Sequence, residues 1–377
     1  MIIFGHMKKL IISLGIILVT LIVAVAIVWN GEIRTLASIH QVGNDPYLYE
    51  CEYSAPYDLD AVVESGIDEN AKLVAFVISK LSRGLYNPKP KSEEKSPFAC
   101  TSFQARNSET GGWIFGRNYD YFKNPSLVLH SHPKKGYASL STVDLSHLGY
   151  NLDKIPNSLA KKALCLASVY APMDGINEKG LCISIMALPK QAAYQNTGKS
   201  VVGTSIYMRL ILDRCATVEE AIALTKTLDI RHDQKAGSGY HYFIADAAGN
   251  AVVVEFDLKD GWKTMLVEKP EDAQYMHVTN HLLSPKYYTT EPNPEYGNPN
   301  SHSWERYAKV AEFMENHSGS ITLDEAQQCL SDVHWKDLVW PDGTIEDTQW
   351  SNVYDQEKLT LRMRSWNSYE TTVNFAL

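Results

Sequence analysis

Of the six cysteines in this 377-residue chain, one stands in a setting that suits nucleophilic chemistry. Cys100 follows a Pro- and charge-rich run, NPKPKSEEKSP (87–97), which has too few apolar side chains to pack a core and reads as an exposed linker. At Cys100 the character changes to strand. CTSFQAR alternates, Glu109-Thr110-Gly111-Gly112 supplies a turn, and residues 113–118 resume as a second strand. A hairpin returns its second strand beside the start of its first, so Arg117 and Asp120 are expected close to Cys100. An Arg beside a thiol favours thiolate, and an Asp can hydrogen-bond an α-amino group. The chemistry open to this set is attack by sulfur on a carbonyl. The plainer reading is a packing cysteine next to a surface Arg117–Asp120 ion pair. Cys51, Cys165, Cys182, Cys215 and Cys329 are dispersed without a C-x-x-C pair, as buried free thiols usually are.

The elements that must position these residues read as follows. Residues 31–68 form a polar, aromatic-rich connector with no convincing period. Residues 69–85 place Leu73, Phe76, Val77, Lys80 and Leu81 on one face, an amphipathic helix ended by Gly84. Beyond the first hairpin, a second is expected at 180–187 and a third at 240–256 with its turn at 246–250. Helices fit 204–214, 218–228, 303–315 and 323–331, with Thr217 and Thr322 as N-caps, and residues 352–375 alternate again. Strands and helices in segregated runs predict an α+β fold built from hairpins instead of parallel βαβ units. His241, His277 and His281 fall on strand and loop, where they lack the spacing of a metal site.

The N-terminus is the clearest compositional feature. Residues 10–29, LIISLGIILVTLIVAVAIVW, carry no charge over about 20 positions, enough for ~30 Å of helix. Lys8 and Lys9 precede the run and Glu32 follows, which orients an anchor with its N-terminus in the cytoplasm and the rest outside. The alternative is a removed signal peptide with a secreted product, since Ala24-Val25-Ala26 has the small-x-small form. The division that results is an anchor or signal at 1–30, a segment at 31–99 with its helix and linker, and a main domain at 100–377. Composition is globular, 45% hydrophobic and 21% charged. The net charge of −9, without a Lys/Arg block, provides no footprint for nucleic acid. The oligomeric state is open, and an oligomer is allowed.

CTSFQARNSETGGWIFGRNYD, from Cys100 to Asp120, resembles the start of mature choloylglycine hydrolases and penicillin V acylases, members of the N-terminal nucleophile hydrolases. The resemblance continues in order through Asp174-Gly175-Ile176-Asn177-Glu178-Lys179-Gly180-Leu181, residues 240–255, Val278-Thr279-Asn280 and Ser303-Trp304-Glu305-Arg306-Tyr307. It implies a four-layer αββα sandwich and hydrolysis of linear carbon–nitrogen amides through a thioester, without metal or cofactor. Cys100 would supply the attacking sulfur and, once residue 99 is removed, the α-amino base, whose ordinary pKa near ~7.7–8.0 suits neutral pH. Arg117 and Arg306 would stabilise charge, Asp120 would orient the amine, and Asn280 would donate to the oxyanion. Where bile salt hydrolases carry a further oxyanion asparagine this chain has Ala187, whose backbone N–H is the candidate there.

The long segment before Cys100 implies self-cleavage of Ala99–Cys100, as in relatives with long pro-segments. The cut piece then either leaves or stays bound as a small subunit. The expected substrate is a small N-acyl amide with an apolar acyl part, of the fatty-acid amide or N-acyl amino acid type. A bile salt, penicillin V, acyl transfer to a second amine, or a non-catalytic membrane-anchored scaffold are the alternatives. Taken singly, Asn280 could cap a turn, Asn177 could shape one, and Arg306 beside Glu305 and Lys309 could be an ordinary solvated charge.

Overall fold

A computed structural model of the chain describes residues 2–84, 99–189, 192–297, 299–340, 343 and 345–377. The linker expected at 87–97 lies outside these described residues. The helices are α1 (Ile2–Val28), α2 (Asn30–Ser38), α3 (Leu59–Glu64), α4 (Asn70–Leu81), a short α5 (Leu159–Lys162), α6 (Thr204–Arg214), α7 (Val218–Thr225), α8 (Ser303–Asn316) and α9 (Leu323–Asp332).

A nine-stranded sheet runs in the order β1 (His40–Gln41), β2 (Leu48–Tyr53), β5 (Ser126–Ser131), β6 (Ser139–Asp144), β7 (Asp174–Asn177), β8 (Cys182–Pro189), β11 (Ser238–Ala245), β12 (Ala251–Phe256) and β13 (Thr264–Glu268). The second sheet runs β14 (Tyr275–Val278), β3 (Ala99–Asn107), β4 (Trp113–Tyr121), β17 (Ile345–Asp355), β18 (Thr360–Ser365) and β19 (Val373–Ala376). Two short strands join its margins, β15 (Ser320–Ile321) on β3 and β16 (Leu338–Val339) on β17. Strands β9 (Ser200–Gly203) and β10 (Leu228–Arg231) pair separately and in parallel.

The sheets face each other, with α6 and α7 against the outer face of the first and α8 and α9 against the outer face of the second. The order is therefore helix, sheet, sheet, helix. Period-2 alternation divides the central hairpin between two cores. Phe103, Ala105 and Ile114 pack with Val310, Met314 and Leu330 of the α8/α9 layer. Cys100, Phe115 and Tyr119 point instead into the space between the sheets, where Phe115 stacks on Phe243 at 5.3 Å. Both faces of β3 are covered, so its side chains are buried almost throughout. Gly116 is required here: a Cβ at that position would run into the Phe103 ring.

The hairpin at Cys100, the 246–250 turn and the helices at 204, 218, 303 and 323 occur where the sequence places them. Thr217 and Thr322 cap their helices through Glu220 N and Glu325 N, the latter in a full capping box. The second hairpin is displaced, since its turn is 178–181, between β7 and β8. The connector at 31–68 is not irregular as expected. It holds α2, β1, β2 and α3, and β2 lies inside the large sheet, parallel to β5. Its six residues, LYECEY, bury Leu48, Tyr49, Cys51 and Tyr53, but the partner strand is remote in sequence, so no hairpin signature marks it.

At the N-terminus, α1 ends at Val28 and α2 leaves at 73°. Among the described residues no single helix is long and apolar enough to cross a membrane, although the bent pair Ile12–Val28 and Asn30–Ser38 passes that test together. Apolar side chains of α1 that include Ile12, Leu14, Ile16 and Leu18 are exposed.

Candidate active site

The β3/β4 register sets Cys100 opposite Tyr119, Ala99 opposite Asp120 and Ser102 opposite Arg117. Opposed residues share a face, so the thiol and Arg117 lie between the sheets while Asp120 lies on the helix side. The two groups meet around the backbone of Cys100. Its Sγ donates to the Ile185 carbonyl at 3.4 Å, and its N–H donates to Asn280 Oδ1 at 2.7 Å. Burial pushes the thiol up to about 12, against the lowering pull of Arg117 and Arg306 and with Asp120 adding to the rise. In the uncut chain the sulfur is therefore a protonated thiol at neutral pH, and it needs a base before it can attack.

Arg306 projects from the first turn of α8 and is buried, 3% exposed, which overturns the solvated-charge reading. Its Nη1 donates to Thr101 Oγ1 at 2.7 Å and to the Cys100 carbonyl. Nη2 donates to Asn280 Oδ1 at 2.8 Å, and Nε to the Ser301 carbonyl at 3.0 Å. Burial draws its pKa below the ordinary value while Asp120 and Cys100 pull the other way. Asn280 is fixed by its own N–H, which donates to Ser303 Oγ, and by Nδ2, which donates to the Ala187 carbonyl, both at 2.8 Å. Ala187 thus meets the site through its carbonyl; along the strand it lies opposite Tyr240.

Asp120 is fully buried. Its Oδ1 accepts from Thr348 Oγ1 at 2.5 Å, and Oδ2 has no hydrogen-bond partner. Thr348 stands where the β4/β17 register slips between Thr348 and Trp350, an irregularity that re-aims its side chain toward Asp120. Burial raises the Asp120 carboxyl above its usual range, opposed by Arg306, Thr348 and Arg117. Arg117 is also completely buried, and none of its three guanidinium nitrogens has a hydrogen-bond partner. Its ion-pair partner is Asp174, not Asp120, with Nε 3.8 Å from Asp174 Oδ2. That carboxylate is held by Trp350 Nε1 and Asn352 Nδ2, each at 2.8 Å, and by the Tyr354 hydroxyl. Asp174 and Thr348 meet Arg117 and Asp120 without having been singled out by residue type; the only signal was the position of Asp174 at the head of DGINEKGL.

The histidines serve position. His241 bridges Glu255 and the Thr279 carbonyl, and His281 Nδ1 lies 2.8 Å from the Ser303 Oγ that anchors Asn280. Burial lowers His281 to about 3 and His277 to about 4, so both are neutral. Among the described residues no group of His, Cys, Asp or Glu is arranged to hold a metal ion. Asn177 shapes the β7–β8 turn, accepting from Lys179 N and Leu181 N.

Beside Ile185, whose carbonyl accepts from the thiol, opens a cavity of about 100 Å³ with Tyr240, Met173, Tyr170 and Met208 also in its wall. Taken together, the arrangement can hold negative charge beside the sulfur with an unpartnered guanidinium and orient the nitrogen of residue 100.

The family model for acyl-coenzyme A:6-aminopenicillanic acid acyl-transferase matches residues 106–368, beginning just after Cys100. No curated protein matches the chain by sequence. Similar solved structures include a mutant conjugated bile acid hydrolase from Clostridium perfringens, 18% identical, covering 74% of this chain and 92% of that one with a TM-score of 0.50. Penicillin V acylase from Agrobacterium tumefaciens is also 18% identical, covering 73% and 90%, with a TM-score of 0.49. At such identity the first likeness speaks to the fold alone, and it agrees with the resemblance read from the sequence.

Proposed function

The chain belongs to the acyl-coenzyme A:6-aminopenicillanic acid acyl-transferase family, and we propose that it is a self-activating cysteine amidohydrolase of linear N-acyl amides. The observation that carries this reading is the convergence on the nitrogen of residue 100. Asn280 Oδ1 already accepts from it at 2.7 Å, and Asp120, with one oxygen unpartnered, is paired with the residue just before it.

In activation, Cys100 Sγ attacks the Ala99 carbonyl carbon, the thiol proton passes to the peptide nitrogen, and that nitrogen leaves as the α-amine, giving a thioester. Water then hydrolyses that thioester, releasing the Ala99 carboxylate and restoring the thiol. In turnover the α-amine takes the Sγ proton and the thiolate adds to the substrate carbonyl. Arg117, with no hydrogen bond to break, faces the new negative charge. Nδ2 of Asn280 and the backbone N–H of Ala187 are the candidate oxyanion donors. The α-ammonium protonates the departing amine, and water releases the acyl group from sulfur. Arg306 holds Asn280 and the Cys100 carbonyl in place throughout.

The acyl part is apolar, of the fatty-acid amide or N-acyl amino acid type, because the cavity beside the thiol has largely apolar walls. The exposed apolar side chains of α1 support attachment to a membrane through the N-terminal segment, with the catalytic domain outside the cytoplasm and a secreted form as the alternative. A second reading, acyl transfer to another amine, is favoured by the family's description. Product analysis with an N-dodecanoyl amino acid, a conjugated bile salt and penicillin V decides among these. Release of dodecanoate by wild type and none by Cys100→Ala is the expected result. Turnover of the bile salt or penicillin V alone would replace the substrate class, and a new amide formed with added amine would make the protein a transferase. An unreactive, uncut chain would leave a non-catalytic scaffold.

A further inference from the structure

The cavity beside Cys100 has a wall that comes from the other side of the cleavage point. Leu73, Val74 and Val77 of α4 line it opposite Met173, Ile185 and Met208 of the catalytic domain. The i, i+1, i+4 spacing puts all three side chains on one flank of the helix. Ile185 links the cavity to the chemistry, since it lines the space and its carbonyl lies 3.4 Å from Cys100 Sγ.

Breaking the Ala99–Cys100 bond leaves the attachments of the pro-segment intact. β2 is an interior strand of the large sheet, between β1 and β5, with Cys51 in the core. Asp45 accepts from Ser365 Oγ at 2.8 Å and Ser368 Oγ at 3.0 Å, near the C-terminus. The Tyr53 hydroxyl donates to the Leu166 carbonyl at 2.7 Å, and the first N–H of α4 donates to Asp233 Oδ2 at 3.0 Å. At its other end α4 is clamped to the base of α1, where Trp29 Nε1 donates to the Leu81 carbonyl at 3.1 Å and Arg83 Nη2 to the Val28 carbonyl at 3.0 Å.

We propose that α4 stays in place after cleavage as a permanent wall of the acyl pocket, and that Leu73, Val74 and Val77 set the acyl-chain length the enzyme accepts. This specificity assignment rests on the amidohydrolase reading, but the pocket itself can be tested apart from turnover. Each methylene that the wall buries contributes about fourfold to affinity until the cavity is filled.

The test titrates sodium dodecanoate and sodium hexanoate into the uncut Cys100→Ala chain by calorimetry, with and without Val74→Trp. Dodecanoate is expected to bind at least tenfold more weakly when Val74→Trp is present, with hexanoate unchanged. Leu73→Ala, a milder change, is expected to move the preference toward longer chains. Size-exclusion chromatography of processed wild type should show the N-terminal fragment co-eluting with the catalytic fragment. Equal dodecanoate binding in all three proteins, no dodecanoate binding at all, or loss of the fragment with the pocket's affinity retained would each overturn the proposal. Wall-dependent binding without hydrolysis of any amide would leave the pocket standing and remove the reaction assigned to it.

Discussion

Two guanidinium groups are buried within reach of Cys100, and they are treated in opposite ways. Arg306 is saturated, donating to two carbonyls, a hydroxyl and the Asn280 amide oxygen. Arg117 has no hydrogen bond and one carboxylate 3.8 Å away. A buried polar group without partners costs stability, on the order of 1–3 kcal/mol and more when charged. Arg306 therefore maintains the geometry, while Arg117 carries an unfilled demand for negative charge that a thiolate or an oxyanion would meet. The difference separates a residue that builds the site from one that waits for the reaction.

Breaking the builder should have the largest effect. Arg306→Ala leaves Asn280 Oδ1 with the Cys100 N–H alone, strips the Thr101 oxygen and two carbonyls of their donor and removes the cation facing buried Asp120, so denaturant unfolding should show a loss of about 3–5 kcal/mol, together with loss of self-cleavage. Arg117→Met should do the reverse. kcat/KM should fall by about 100-fold or more, while stability drops by less than for Arg306→Ala, because the about 1–3 kcal/mol or more relieved by removing an unpartnered guanidinium offsets part of the cost of the uncompensated Asp174. Adding Asp174→Asn should recover most of that stability and none of the activity. If the two arginine variants lose stability and activity in the same proportion, the division of labour is wrong.

Thr348→Val should fall between these effects. It leaves Asp120 without its remaining hydrogen bond and should cost about 1–2 kcal/mol, with slower processing measured as the fraction of chain cut over time. The smallest effect concerns pH. His277 and His281 stay neutral in the fold to about 4 and about 3, below the ordinary histidine value. Between that ordinary value near ~6.5 and pH ~4 the unfolded chain binds protons that the folded chain refuses. Stability is therefore complete above pH ~6.5 and declines as pH falls through that window. His277→Asn should flatten the slope of unfolding free energy against pH.

The comparison between the central hairpin and the segment before it explains what could be read in the sequence. The hairpin is legible because strand, turn and strand are contiguous, and the register alone carries Arg117 and Asp120 to Cys100. Arg306 and Asn280 were reachable only through the order of family motifs, since no local pattern distinguishes a buried Arg on a helix from a solvated one. Thr348 depends on a slip in strand register, and Asp174 on three donors from a strand far along the chain, neither of which leaves a local signature. The 31–99 segment was hardest to read because β2 finds its partner, β5, on the far side of Cys100 and in parallel. The apolar stretch at 10–29 was plain as a helix, but its continuation bends at Trp29, where α2 begins.

The central claim is that Cys100 cuts the bond that precedes it and then works from the new N-terminus. Intact mass and N-terminal sequencing of purified wild type and Cys100→Ala test it most directly. The account predicts a wild-type chain beginning at Cys100 alongside its N-terminal fragment, and a mutant of full, uncut mass. A wild-type chain that remains whole, or a Cys100→Ala chain cut at the same bond, would contradict it.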